Sequence, residues 1–185
     1  LMDRDDAALV WRGPMINSAI RQLYTDLEWG SLDYLLVDLP PGTSDSPLTV
    51  FQSLPVDAVL IVSSPQELAV TIVAKSINMA RIMKVPILGL IENMSYLACP
   101  DCGRRIDLFG RSKGREASAA AKTEFLGSVA VDPLISQLCD EGRIEEYNSA
   151  DFASIAQRII EKTREVKVPQ ELRQADTVAE RERRR

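Results

Sequence analysis

Short unbroken apolar runs, each followed by a stretch with helical spacing, set the tightest limit on what this chain can fold into. Residues 33–38 (Asp33-Tyr34-Leu35-Leu36-Val37-Asp38), 58–62 (Ala58-Val59-Leu60-Ile61-Val62) and 86–91 (Pro86-Ile87-Leu88-Gly89-Leu90-Ile91) lack the apolar/polar alternation of a half-exposed strand. They read as strands covered on both faces, the signature of a parallel sheet. Residues 125–130 give a weaker run of the same form. Apolar residues at helical spacing lie over about 66–83, 112–123 and 151–166, and an earlier helix is expected over about 14–28. In that first helix Pro14 suits the opening turn, Met15, Ile16, Ala19, Ile20, Leu23 and Leu27 share a face, and Gly30 provides a stop. Strands alternating with helices imply right-handed crossovers and a doubly wound, mostly parallel α/β sheet.

Composition narrows the function classes. With 185 residues, 45% apolar and 26% charged, the chain has the balance of a soluble globular protein. One domain over residues 1–166 and a charged, solvated tail over 167–185 are expected. A net charge of -5 argues against a nucleic-acid partner. No apolar run approaches the roughly 20 residues that span a bilayer, so no membrane partner is expected. The charged start, Leu1-Met2-Asp3-Arg4-Asp5-Asp6, does not resemble a signal peptide, and a cytoplasmic location is expected. The chain contains no histidine, which removes triads and His-rich zinc sites.

In open parallel sheets ligands bind beyond the carboxyl ends of the strands. The first run ends at Asp38 and continues Leu39-Pro40-Pro41-Gly42-Thr43-Ser44-Asp45. A carboxylate closing a buried strand needs compensation, which a water-held magnesium ion beside nucleotide phosphates would give. Gly42 would let a backbone N–H approach a phosphate oxygen. An acidic helix cap with a Pro-Gly turn explains the same residues.

Cys99 and Cys102 are spaced to direct two thiolates at one metal centre, with Gly103 relieving the turn and Arg104 and Arg105 expected to lower the thiol pKa values. Two thiolates are half of a four-ligand set, so the remainder would come from a second subunit, which a two-fold dimer provides by symmetry. Zinc bridging two chains uses the same ligands. A thioredoxin-like redox pair also fits the spacing, although no helix evidently starts there. Two buried free cysteines fit poorly in so polar a loop. Cys139 follows Leu134, Ile135 and Leu138 in a helical pattern and reads as core.

Four motifs occur in order: Trp11-Arg12-Gly13-Pro14-Met15, residues 33–43, Glu92-Asn93-Met94-Ser95, and Cys99-Pro100-Asp101-Cys102-Gly103. Together, over about Val10 to Glu146, they resemble the Mrp/ApbC family of MinD-like P-loop ATPases, which carry iron–sulfur clusters. The resemblance implies that Asp38 is the Walker B aspartate that holds Mg2+ through water. It makes residues 40–45 the switch II loop, with Gly42 and Thr43 at the γ-phosphate of ATP. Asn93 would recognise adenine, and Val131-Asp132-Pro133 would lie along the base. Cys99 and Cys102 would hold a [4Fe–4S] cluster shared across a homodimer, for delivery to apo iron–sulfur proteins under ATP binding and hydrolysis. A MinD/ParA-like positioning ATPase is the main alternative, but it calls for a membrane helix or basic surface and no cysteine pair. A zinc-bridged interaction module without ATPase activity is another.

One family feature is missing. No stretch fits G-x-x-x-x-G-K-[ST], and the nearest, residues 109–114, has the wrong spacing. The family's phosphate loop and its strand would precede Leu1, and without them an apolar sheet edge is expected to be left open. This chain alone is therefore expected not to hydrolyse ATP. Measurable turnover by contaminant-free protein would contradict that expectation.

Overall fold

In the computed structural model, residues 13–166 are described, and they fall into two packing units split between Val56 and Asp57. The tail expected over 167–185 and the Trp11-Arg12 pair lie outside the described residues.

The first unit holds α1 (Gly13–Thr25) and α2 (Asp45–Ser53). The side chains of Arg21 and Asn17 on α1 meet those of Ser53 and Thr49 on α2 in hydrogen bonds. Between the helices, residues 33–38 do not form the expected strand. Among the described residues the sheet's ladders do not include them, and Leu36 is 89% exposed. An apolar run becomes a strand only where a neighbour offers a hydrogen-bonding edge, and the sheet does not include these residues. The helix α1 also ends at Thr25, short of Gly30, and Met15, Leu23 and Leu27 on its expected apolar face are exposed.

The second unit is the doubly wound part. It runs β1 (Val59–Ser63), α3 (Glu67–Ile82), β2 (Ile87–Ala98), β3 (Arg105–Ile106), α4 (Gly114–Ala120), β4 (Phe125–Val131), α5 (Pro133–Asp140), a 3-10 turn (Ile144–Glu146) and α6 (Ala150–Glu165). The strands β1 and β4 lie parallel to β2 on its two edges, in the order β1-β2-β4. Successive side chains of a strand point to opposite faces, and the core divides accordingly. Ile61 and Leu90 pack on one face with Val73 and Ile77 of α3 and with Ala121 just past α4. Ile91 and Leu126 pack on the other with Ile155 of α6, and Val129 joins the same cluster. Fully burying a side chain such as Leu90 contributes roughly 1.5–3 kcal/mol.

The strand β2 continues well past its expected end at Ile91. Its first half pairs with β1, from Val59↔Ile87 to Ser63↔Glu92. Leu97 pairs with Val131 of β4 on one edge and with Ile106 of β3 on the other. A strand has two edges, so β3 takes over the edge that β1 leaves. The end of β2 and β3 thus form an antiparallel hairpin standing beyond the carboxyl end of β1.

Candidate functional site

The tip of that hairpin carries Cys99 and Cys102. The Cys99 N–H donates to the Arg104 carbonyl at 2.9 Å, and the Gly103 N–H donates to the Cys99 carbonyl at 2.8 Å. Closing so tight a turn puts Gly103 at φ +68°, a conformation open to glycine without steric cost. Backbone N–H groups of Cys102 and Asp101, together with the Cys102 side chain, hydrogen-bond to the Cys99 sulfur and hold its thiol below the usual range. Hydrogen bonds to the charged form favour that form, so the turn itself promotes the thiolate that metals require.

The expected help from the arginines takes another form. Arg105 lies 3.9 Å over the Tyr96 ring, donates to Ser95 Oγ at 3.3 Å and pairs with Asp107 at 3.6 Å. It braces the hairpin from below instead of acidifying the thiols. No helix starts at the pair: the residues run from strand to turn to strand. Cys99 is half-buried and Cys102 exposed, and Cys139 is exposed on α5, not packed in the core as expected. Among the described residues no three His, Cys, Asp or Glu side chains are placed to hold one metal ion.

Beneath the hairpin lies a polar network that the sequence reading did not foresee. Glu92 is 1% exposed and Ser95 0% exposed. The Glu92 carboxylate accepts the backbone N–H groups of Lys113 and Gly114 at 2.8 and 2.7 Å, and it also accepts the Ser95 hydroxyl. Burial pushes its pKa up, but hydrogen bonds from Ser112, Ser95, Lys113 and Gly114 outweigh that and hold the carboxyl below its ordinary value. Glu92 therefore closes the start of α4, and through Ser95 and Arg105 it is joined to the hairpin. Gly114 suits this close approach, since a Cβ there would run into the Phe125 ring.

Between Glu92 and the hairpin, β2 bulges. The register against β4 steps from Glu92↔Ser128 to Tyr96↔Ala130, and Met94 takes φ +53°. Bulges re-aim side chains beside functional sites. Asn93 sits in this bulge, half-buried, and its side-chain oxygen accepts the Met94 N–H at 2.8 Å. Its amide NH2 remains the group able to donate to a ligand. Asp132 caps α5: one carboxylate oxygen accepts the Leu134 N–H, the other the Tyr147 hydroxyl, each at 2.9 Å, and Pro133 follows in the first turn. Both oxygens are thus engaged within the protein.

In the first unit Asp38 is exposed at the end of an extended segment, so it does not bear the cost of a buried strand end. Gly42 takes φ +89° in the loop that leads into α2, and Thr43 is exposed beside it. The loop-to-helix form expected of a phosphate-side loop is therefore present, with Ser44 as the N-cap of α2. No helix of the described residues is long and apolar enough to cross a membrane.

Comparison with known proteins agrees with these features. The family model described as "ParA: NUBPL iron-transfer P-loop NTPase" matches residues 1–164. An iron-sulfur cluster carrier protein of Methanocaldococcus jannaschii is 43% identical over 167 residues, covering 88% of this chain and 58% of that protein. The iron-sulfur cluster transfer protein NUBPL of Dictyostelium discoideum is 41% identical, covering 77% of this chain and 44% of its own length. The chain thus spans about half the length of these curated relatives. A nucleotide-binding protein of Archaeoglobus fulgidus, solved in complex with ADP, superposes with a TM-score of 0.68 at 45% identity, over 75% of this chain and 57% of that one. At that identity the likeness supports the α/β fold of a MinD-like P-loop NTPase. With the ordered motifs and the cysteine hairpin, the match over most of its length shows that this chain belongs to the NUBPL-type family of iron-transfer P-loop NTPases.

Proposed function

We propose that the chain carries an iron–sulfur cluster as cargo, held as [4Fe–4S] between two copies that each contribute Cys99 and Cys102, and hands it to apo iron–sulfur proteins. The observation that carries this reading is the tight hairpin turn, closed by the Gly103 N–H on the Cys99 carbonyl, which places Cys99 and an exposed Cys102 at its tip. Thiolates are the ligands that iron–sulfur clusters take, and a turn that supplies two of them needs a partner for the other two. Exposed Ile106, Leu108 and Phe109, next to the pair in sequence, are suited to lie at such an interface.

Nucleotide control belongs to the same proposal. Residues 1–166 would act as one NTPase-like domain in the cytoplasm. Asp38 would hold the Mg2+ of ATP through water, while Gly42 and Thr43 would face its γ-phosphate. Asn93 would donate its side-chain NH2 to adenine. With its carboxylate already engaged, Asp132 would offer the base only backbone, together with Pro133. Magnesium would supply charge neutralisation at the phosphates, and the task of these residues is to position the nucleotide.

Delivery is tested by anaerobic loading of the protein, removal of free iron and sulfide, and incubation with an apo-enzyme whose activity requires a [4Fe–4S] cluster. The acceptor should regain activity as the donor's absorbance falls. An acceptor that stays inactive while the donor loses its cluster would count against the carrier reading.

A further inference from the structure

Three arginines from three elements converge on one cavity of the second unit. Arg105 comes from β3, Arg115 from α4 and Arg158 from α6, and together with Ser128, Ser154 and Asp151 they line a space of about 240 Å³. Arg115 and Arg158 are each oriented by a contact that uses little of their donor capacity, while Arg105 also engages Ser95 and Asp107. Arg115 lies over the Phe125 ring at 5.1 Å, Arg158 donates one N–H to the Leu126 carbonyl at 3.1 Å, and Arg105 is braced on Tyr96. A guanidinium has five N–H donors, so most of them remain for a ligand.

The charge balance points the same way. Arg105 has Asp107 as a partner, whereas Arg115 and Arg158 have no carboxylate partner among the described residues. Asp151 is the one carboxylate in the lining, and it accepts the Tyr96 hydroxyl at 3.1 Å. With Arg105 offset by Asp107 and with Asp151 in the lining, the three arginines still leave a positive excess that a bound anion would neutralise. We infer that this cavity is a phosphate site, taking inorganic phosphate or the phosphate group of a small ester. Three planar forks and two hydroxyls supply more donors than the two oxygens of a carboxylate can accept, whereas a phosphate presents enough oxygens for all of them. Its ligand is held by side chains instead of a glycine-rich nest.

The test is calorimetric titration of the 185-residue chain, free of iron and nucleotide, with inorganic phosphate, glycerol 3-phosphate and acetate in dilute chloride buffer. Saturable phosphate binding is expected, falling at least roughly tenfold in affinity in Arg115→Gln/Arg158→Gln. It should be unchanged in Arg143→Gln, a surface arginine paired with Glu141 and Glu146. Tighter binding of glycerol 3-phosphate than of phosphate assigns the site to an ester, and the reverse order assigns it to the free ion. As a readout independent of variant folding, the amide resonances of Gly127 and Ser128 in the wild type should shift as phosphate is added. Absence of binding, equal affinity in the double variant, an equal response to acetate, or unmoved Gly127 and Ser128 resonances would each overturn the inference. Because no cluster is involved, these outcomes are independent of the carrier reading.

Discussion

Replacing Cys99 alone with alanine is expected to remove nearly all cluster binding, as severely as replacing both cysteines. The reason is symmetry. In a two-fold dimer each substitution acts twice, so Cys99→Ala deletes two of four ligands, and a cluster with two thiolates left is lost to solvent and chelators. Cys102→Ala should match it. After anaerobic reconstitution and desalting, the wild type should absorb at about 400 nm, and each variant should retain on the order of a tenth of its iron or less. Cys139→Ala should retain full iron, because Cys139 lies on α5, outside the hairpin. A Cys99→Ala protein that kept half its iron would indicate a site built within one chain.

The second large effect concerns Glu92. In Glu92→Ala the N–H groups of Lys113 and Gly114 lose their acceptor where α4 meets β2, and Ser95 loses its own. Leaving buried donors unsatisfied costs about 1–3 kcal/mol apiece, so a total of roughly 3 kcal/mol or more is expected. For a chain of this size that lowers the melting temperature by roughly 6–12 °C. Glu92→Gln keeps an acceptor oxygen and should cost less.

The same group gives the stability a defined pH dependence. The folded protein holds the Glu92 carboxyl below its ordinary 4.5, so the charged form is favoured more in the folded state than in the unfolded one. Its contribution is therefore complete above about pH 5 and is lost as pH falls below 4.5 toward the folded value. Denaturant unfolding at pH 7 and at pH 4 should show a larger loss for the wild type than for Glu92→Gln. Equal losses would mean that the hydrogen bonds at α4 do not favour the charged carboxylate. Since Ser95 links Glu92 to Arg105, the variants should also release cluster iron faster to a chelator.

The doubly wound core was legible because its residues obey simple periods. Leu90 and Ile91 face opposite sides of β2, and Val73 and Ile77 share one face of α3, as spacing predicts. The far half of β2 was not legible. Glu92, Asn93 and Ser95 interrupt the apolar run, and two of these polar groups are buried by mutual satisfaction that no hydropathy pattern reveals. The two-residue strand β3 is too short for any period to register. Residues 33–38 failed in the opposite way: the pattern was strong, but a strand also needs an edge to pair with. The helix α2 carried signals that went unread, Ser44 at the cap and Pro47 in the first turn.

Within the site, the spacing of Cys99 and Cys102 placed them correctly at a turn after the third apolar run. It could not tell which groups tune them. Proximity in sequence suggested Arg104 and Arg105, whereas the hydrogen bonds to the Cys99 sulfur come from Asp101 and Cys102. Asp132 likewise reads as a ligand residue from its motif, yet its carboxylate is spent on Leu134 and Tyr147. Side-chain saturation of this kind depends on contacts distant in sequence, such as Tyr147 folding back on Asp132.

The most direct test of a shared cluster is analytical ultracentrifugation of anaerobically reconstituted protein, with iron, sulfide and zinc counted across the same boundary. Two chains sedimenting together with about four irons and four sulfides, and reverting to single chains when the iron is chelated, is the predicted result. A single chain carrying the full complement of iron, or a dimer that holds zinc and takes up no iron, would contradict it.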